Sequence, residues 1–181
     1  MLAGVTTTSR GPLERFRRRW SHRLRVLEAV VLLAAAAAAQ RWVPMPRWSG
    51  VLGRPAAVPA DWHGQAITDL PVAAATVDEL HTVRAVRRAS RLVPWSPRCL
   101  AEATAAQVLL RQRRHAGVVV IGLRPSVERH ATPWDAHAWL LGRSGALTGG
   151  PAAHGFTATT VFEVPGGLRA ADVQLGGAHA S

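Results

Sequence analysis

The chain holds one cysteine, Cys99, and eight histidines, so thiol chemistry here has a single nucleophile and a choice of bases. Cys99 follows Trp95-Ser96-Pro97-Arg98 and precedes Leu100 and an alanine-rich stretch. Ser96 is a good N-cap, and Pro97 suits the first helical position, where a missing N–H costs nothing. That reading puts Cys99 third in a helix. The N–H groups and dipole of a helix start favour an anion, and the thiolate is the nucleophilic form of cysteine. Arg98 adds positive charge beside it. The plainer use of such a residue is as a small buried hydrophobe, and a thiol without a base is not a mechanism.

Of the eight histidines, only His137 falls inside a convincing strand, the alternating run Ala136–Leu141. Its neighbours Ala136 and Ala138 are small enough for another element to approach the imidazole, and Trp139 follows. A cysteine on a helix N-terminus facing a strand histidine is the arrangement of papain-like and transglutaminase-like enzymes. The plainer reading is a satisfied core histidine. Trp95 and Trp139 flank the two residues. They would either pack a core, the usual role of buried Trp, or shield the pair and line a peptide groove.

The elements that must position the pair follow from periodicity. Residues 12–40 read as a helix with Leu24, Leu27, Val31 and Ala34 or Ala35 on one stripe. Its first half is arginine-rich. Its uninterrupted apolar run, Ala29–Ala39, has 11 residues, six of them consecutive Ala, short of the roughly 20 a membrane span needs. The pattern fits a helix packed on the domain. The alternative is a peripheral contact of residues 12–39 with an anionic membrane. Residues 41–65 read as a connection rich in Pro and Gly that embeds Trp42, Trp48 and Trp62. Residues 76–93 read as a second helix: Thr76 and Glu79 have capping-box spacing, and Val77, Leu80, Val83, Val86 or Arg87, Ser90 and Val93 mark its buried side. The Cys99 helix carries Leu100, Ala103, Ala106 or Gln107 and Leu110 inward, with Gly117 as its stop. Strands are expected at 118–123, 136–141, 146–148 and 157–164. Helices first and then an antiparallel sheet make an α+β fold. The chain divides into a disordered lead (1–11), a basic alanine-rich helix with its connection (12–65), the core (66–164) and a flexible tail (165–181).

Composition narrows the function classes. At 48% hydrophobic and 18% charged residues the chain is globular rather than disordered. Lys+Arg minus Asp+Glu is 22 − 11 = +11, and all 22 basic residues are Arg. The absence of lysine reads as a compositional bias, which dilutes the meaning of each Arg. Zinc-finger spacing and a phosphate-loop glycine pattern are both missing, so nucleic acid is not the expected partner. One cysteine excludes an internal disulfide framework and a four-cysteine zinc site, and no cofactor or metal is expected. No secretory signal is read at the N-terminus, so a reducing, cytoplasmic setting is the expectation.

The combination of Trp95-Ser96-Pro97-Arg98-Cys99-Leu100, Leu109-Leu110-Arg111, Ile121-Gly122-Leu123 and Ala136-His137-Ala138-Trp139 resembles the leader peptidase of lasso-peptide biosynthesis. That family belongs to the transglutaminase-like, papain-related cysteine peptidases, with a catalytic helix packed on an antiparallel sheet. The resemblance covers residues 24–164 and is strongest over 95–141. It implies Cys99 as nucleophile and His137 as general base and acid. It also implies an acidic residue on the next strand to orient the imidazole, where this chain has Gly149 (137 + 12 = 149). The substitutes open to this chain are Glu163, Asp135, Thr148 or a backbone carbonyl. The implied partners are the precursor's leader peptide, a small leader-recognition protein and an ATP-dependent lasso cyclase. The basic N-terminal helix, residues 12–28, offers a docking surface for an acidic partner or precursor. Two other readings stay open: a scaffold of the maturation complex without activity, and an acyl transferase that passes the acyl group to an amine.

Overall fold

A computed structural model describes residues 12–63, 76–96, 98–126, 133–143 and 145–173. The lead (1–11), Pro97 and the last eight positions of the expected tail lie outside the described residues. Four α-helices and five strands follow in the order α1 (Pro12–Trp42), α2 (Met45–Trp48), β1 (Arg54–Ala56), α3 (Val77–Leu92), α4 (Cys99–Gln112), β2 (Val118–Pro125), β3 (Trp134–Gly142), β4 (Gly145–Thr148) and β5 (Thr157–Glu163). The strands form one sheet in the order β1-β5-β2-β3-β4, every pair antiparallel.

Period-two alternation gives the sheet two apolar faces. On one, Val119, Ala138, Leu140 and Phe162 meet α1, α3 and α4. On the other, Val118, Val120, Trp139 and Leu141 meet Trp62, Phe156, Leu168 and Val173. The second face therefore needs residues 165–173, which read from the sequence as a flexible tail. Leu168, Ala170 and Val173 are buried there, and the Ala170 N–H donates to Glu163 Oε1 at 2.7 Å. The Pro- and Gly-rich connection also supplies more than a link. Its Arg54–Ala56 segment is the edge strand beside β5, and Trp62 seals the second core.

The helices show where periodicity fails. Helix α1 buries Val26, Ala29, Leu33 and Ala36, a stripe at i, i+3, i+7 and i+10. The stripe read from the sequence points outward: Leu24, Leu27 and Val31 are 57%, 61% and 59% exposed. Alanine on the buried side lets α1 come close to the alanines of α3 and α4, Ala85, Ala89, Ala101 and Ala105, in the same core. Tight small-on-small packing outweighs the larger side chains on the other face. Helix α3 has its capping box, with Thr76 N–H to Glu79 Oε2 at 2.7 Å and Glu79 N–H to Thr76 Oγ1 at 3.3 Å. Val83 and Val86 are buried as expected, whereas Val77 and Leu80 are exposed.

Helix α4 starts later than its sequence suggests. Arg98, not Ser96, is the N-cap and gives no side-chain cap. Its carbonyl accepts from Ala101 N–H at 2.8 Å and Glu102 N–H at 3.2 Å, so Cys99 is the first helical residue. The helix ends without glycine: Arg114 takes the left-handed conformation (φ 59°), and His115 N–H reaches Leu110 O at 3.0 Å, a Schellman closure. Gly117 serves another purpose. Buried Gln107 accepts its N–H at 3.0 Å and donates to its carbonyl at 2.8 Å, tying α4 to the start of β2. A Cβ on Gly117 would stand 2.4 Å from Leu141 O, so only glycine fits there.

Candidate active site

Strand β4 ends at Thr148, opposite Leu140 of β3. Before Leu140, the outer edge of β3 therefore has no strand partner. Helix α4 points its first residue at this open edge, and the Ala138 N–H, freed from any ladder, donates to Cys99 Sγ at 3.3 Å. His137 belongs to the opposite face of the sheet from Ala138. Its ring lies against Trp139 (centroids 6.0 Å apart, planes at 22°) and Phe156 (5.3 Å, 40°). The thiol thus arrives from the helical layer and the imidazole from the other layer. They meet at the edge between, close enough for each to shift the other's pKa.

The imidazole's second nitrogen is also engaged. His137 Nε2 lies 2.9 Å from the Gly149 carbonyl oxygen. A carbonyl only accepts, so Nε2 carries a proton, which leaves Nδ1 as the nitrogen able to exchange one with the thiol. Gly149 makes this approach possible. Its φ is +72°, and a Cβ there would sit 3.1 Å from His137 Nε2 and 2.7 Å from Ala138 O. The position where the family resemblance implies a carboxylate is thus filled by backbone, brought close because it has no side chain.

Electrostatics favour charge separation. Burial alone pushes the Cys99 thiol up. The hydrogen bond to His137, the N–H groups of Ala138 and Leu100, and the imidazolium charge outweigh it, and the thiol is held below its ordinary value. Burial pushes His137 down. The thiolate's hydrogen bond and charge and the Gly149 carbonyl outweigh that, despite opposition from Arg124, and the imidazole is held above its ordinary value.

None of the other sequence candidates is hydrogen-bonded to the imidazole. Glu163 is on β5 opposite Arg54 and accepts from Ala170 N–H. Asp135 shares a face with His137, but its Oδ2 is 3.3 Å from Arg124 Nε. Thr148 Oγ1 is buried with no hydrogen-bond partner. Trp139 is fully buried in the second core, while Trp95 is 40% exposed in the loop before α4. Arg98 lines a depression with Gln40, Arg41 and Trp95. Sequence reasoning missed Phe156 and Arg124, whose guanidinium lies 4.5 Å over the Phe156 ring; neither has a spacing signal that ties it to His137. Among the described residues, no three His, Cys, Asp or Glu side chains converge to hold a metal ion, and no helix is long and apolar enough to cross a membrane.

An antiparallel sheet backed by a helix that delivers cysteine to a strand histidine defines a protein of the cysteine–histidine type. The family model of the transglutaminase-like superfamily matches residues 29–161. The chain belongs to that superfamily, whose members are often cysteine-dependent enzymes. No individual curated protein and no solved structure matches it.

Proposed function

We propose that the protein is a cysteine peptidase that removes the leader from a ribosomally made lasso-peptide precursor. One observation carries the chemistry: the thiol at the start of α4 and the His137 imidazole each hold the other toward its charged form, with Sγ taking the Ala138 N–H and Nε2 held by the Gly149 carbonyl. The run Trp95–Leu100 with Ala136–Trp139 supports the choice of substrate. In the reaction, Cys99 Sγ attacks the scissile carbonyl carbon. The first backbone N–H groups of α4, which have no intrahelical acceptor, face the developing oxyanion. His137 gives its Nδ1 proton to the leaving amine of the core peptide, and a thioester to the leader remains. His137 then takes a proton from water, the hydroxide displaces Sγ, and the leader leaves as a carboxylic acid. The leader-recognition protein presents the precursor, and the ATP-dependent cyclase consumes the released core.

The test incubates the purified protein with precursor peptide and leader-recognition protein, with mass analysis of both halves. The expected result is a leader ending in a free carboxylate, and its loss in Cys99→Ala. Undiminished cleavage by Cys99→Ala would overturn the reading. A leader whose new terminus carries an added amine instead of water would make the chain an acyl transferase.

A further inference from the structure

Two depressions near the start of α4 share Trp95 and Ser96 as lining residues. One, of about 530 Å³, is lined by Arg87, Ser90 and Arg91 of α3 with Trp95 and Glu102. The other, of about 240 Å³, is lined by Gln40 and Arg41 of α1 with Trp95, Arg98 and Ala101. The half-exposed Trp95 indole belongs to both. Among the described lining residues, four guanidinium groups therefore share one aromatic wall, with Glu102 the one carboxylate. Among the described residues, none of the four stands in an ion pair. Arg41 and Arg91 sit in the last turns of their helices, where the dipole favours a cation. That accounts for their presence but leaves their forked donors unspent. Each depression also has a lining side chain with a buried polar atom that lacks a partner, Ser90 Oγ in one and Gln40 Nε2 in the other.

We infer that these depressions form a substrate subsite for an acidic peptide segment, with guanidinium groups taking side-chain carboxylates and the Trp95 indole taking the aliphatic stems. The inference rests on the peptidase reading and adds a side-chain preference to it. Arg98 directly precedes Cys99, and extended chain advances about 3.3 Å per residue. The recognised carboxylate thus lies within a few residues of the scissile bond. A planar, bidentate partner suits arginine. The combination of indole and alanine walls suits a peptide side chain better than a bare phosphate backbone.

Binding is read by fluorescence anisotropy on the intact Cys99→Ser protein, which cannot turn over a peptide. The probes are a fluorescein-labelled peptide with two glutamates, its glutamine twin, and a labelled single-stranded oligonucleotide of equal charge. The acidic peptide should bind about tenfold tighter than its twin, as charge-assisted hydrogen bonds allow. Arg41→Gln and Arg91→Gln should each remove most of that preference. Arg143→Gln deletes the same charge outside both depressions and should leave it intact. Equal binding of the twins, equal harm from Arg143→Gln, or equal binding of the oligonucleotide would overturn the subsite. Because no cleavage is needed, an intact acid preference beside absent hydrolysis would overturn the peptidase reading alone.

Discussion

The two halves of the reactive pair are supported by different means. At the start of α4, Cys99 Sγ receives hydrogen bonds from backbone N–H groups that favour its anion. At the edge of β3, His137 leans on a neutral carbonyl and two aromatic rings. Donors suited to a negative charge are built in on one side, while among the described residues no carboxylate is hydrogen-bonded to the imidazole on the other. The imidazolium therefore depends on its own thiolate more than on the fold. Loss of the histidine costs the thiol its strongest support, and loss of the thiolate costs the imidazole its strongest.

The largest effect expected from breaking this asymmetry comes at Gly149. In Gly149→Val, the new Cβ displaces the imidazole or its carbonyl support. Since an error of about 1 Å in geometry costs about 10²-fold, kcat/KM for precursor cleavage should fall by about that factor. A variant with unchanged kcat/KM would show that the carbonyl does not position the ring. Next comes the pH dependence of alkylation by iodoacetamide. Because Cys99 is held low and His137 high, the thiolate should react at a pH below that of a simple thiol. In His137→Ala the reactive limb should move to higher pH, since burial then acts with less opposition. Cleavage needs both charges, so it should rise as Cys99 ionises and fall as His137 loses its proton. A smaller effect is expected from Arg124→Gln. Arg124 opposes the imidazolium, so its removal should shift the alkaline limb of cleavage upward and leave the acid limb in place. The smallest catalytic effect is expected at Glu163. Glu163→Ala should lower unfolding stability by about 2 kcal/mol, the worth of a hydrogen bond to a charged group, as measured in urea, with kcat/KM unchanged. A loss of activity beyond the loss of folded protein would reopen Glu163 as a functional group.

How much was legible in the sequence differs between two alanine-rich helices. In α4, Ala103, Ala106, Gln107 and Leu110 are inward as their spacing suggests, but Ala101, Ala105 and Leu109 are buried as well, because the helix is covered on nearly every side. In α1, apolar residues surround the axis between positions 29 and 39, so the stripe of Leu24, Leu27 and Val31 looked like the core, while Val26, Ala29, Leu33 and Ala36 fill it. The Cys99 helix and the His137 strand were both readable, from one cysteine and one strand-borne histidine. The N-cap was not, since Ser96 and Pro97 fit a start that the backbone delays to Cys99. The support of His137 could be placed by counting to Gly149, yet a carbonyl carries no side-chain signature. Residues 165–173 read as tail because their apolar residues are sparse. Each of Leu168, Ala170 and Val173 nonetheless fills the second core.

The Gly149 contact also bears on acid tolerance. A carboxylate that props an imidazole becomes neutral when it takes up a proton, and its grip weakens. A peptide oxygen has no such titration in the physiological range. On mild acidification, then, the ring keeps its bearing, and whatever reactivity fades does so through the sulfur alone.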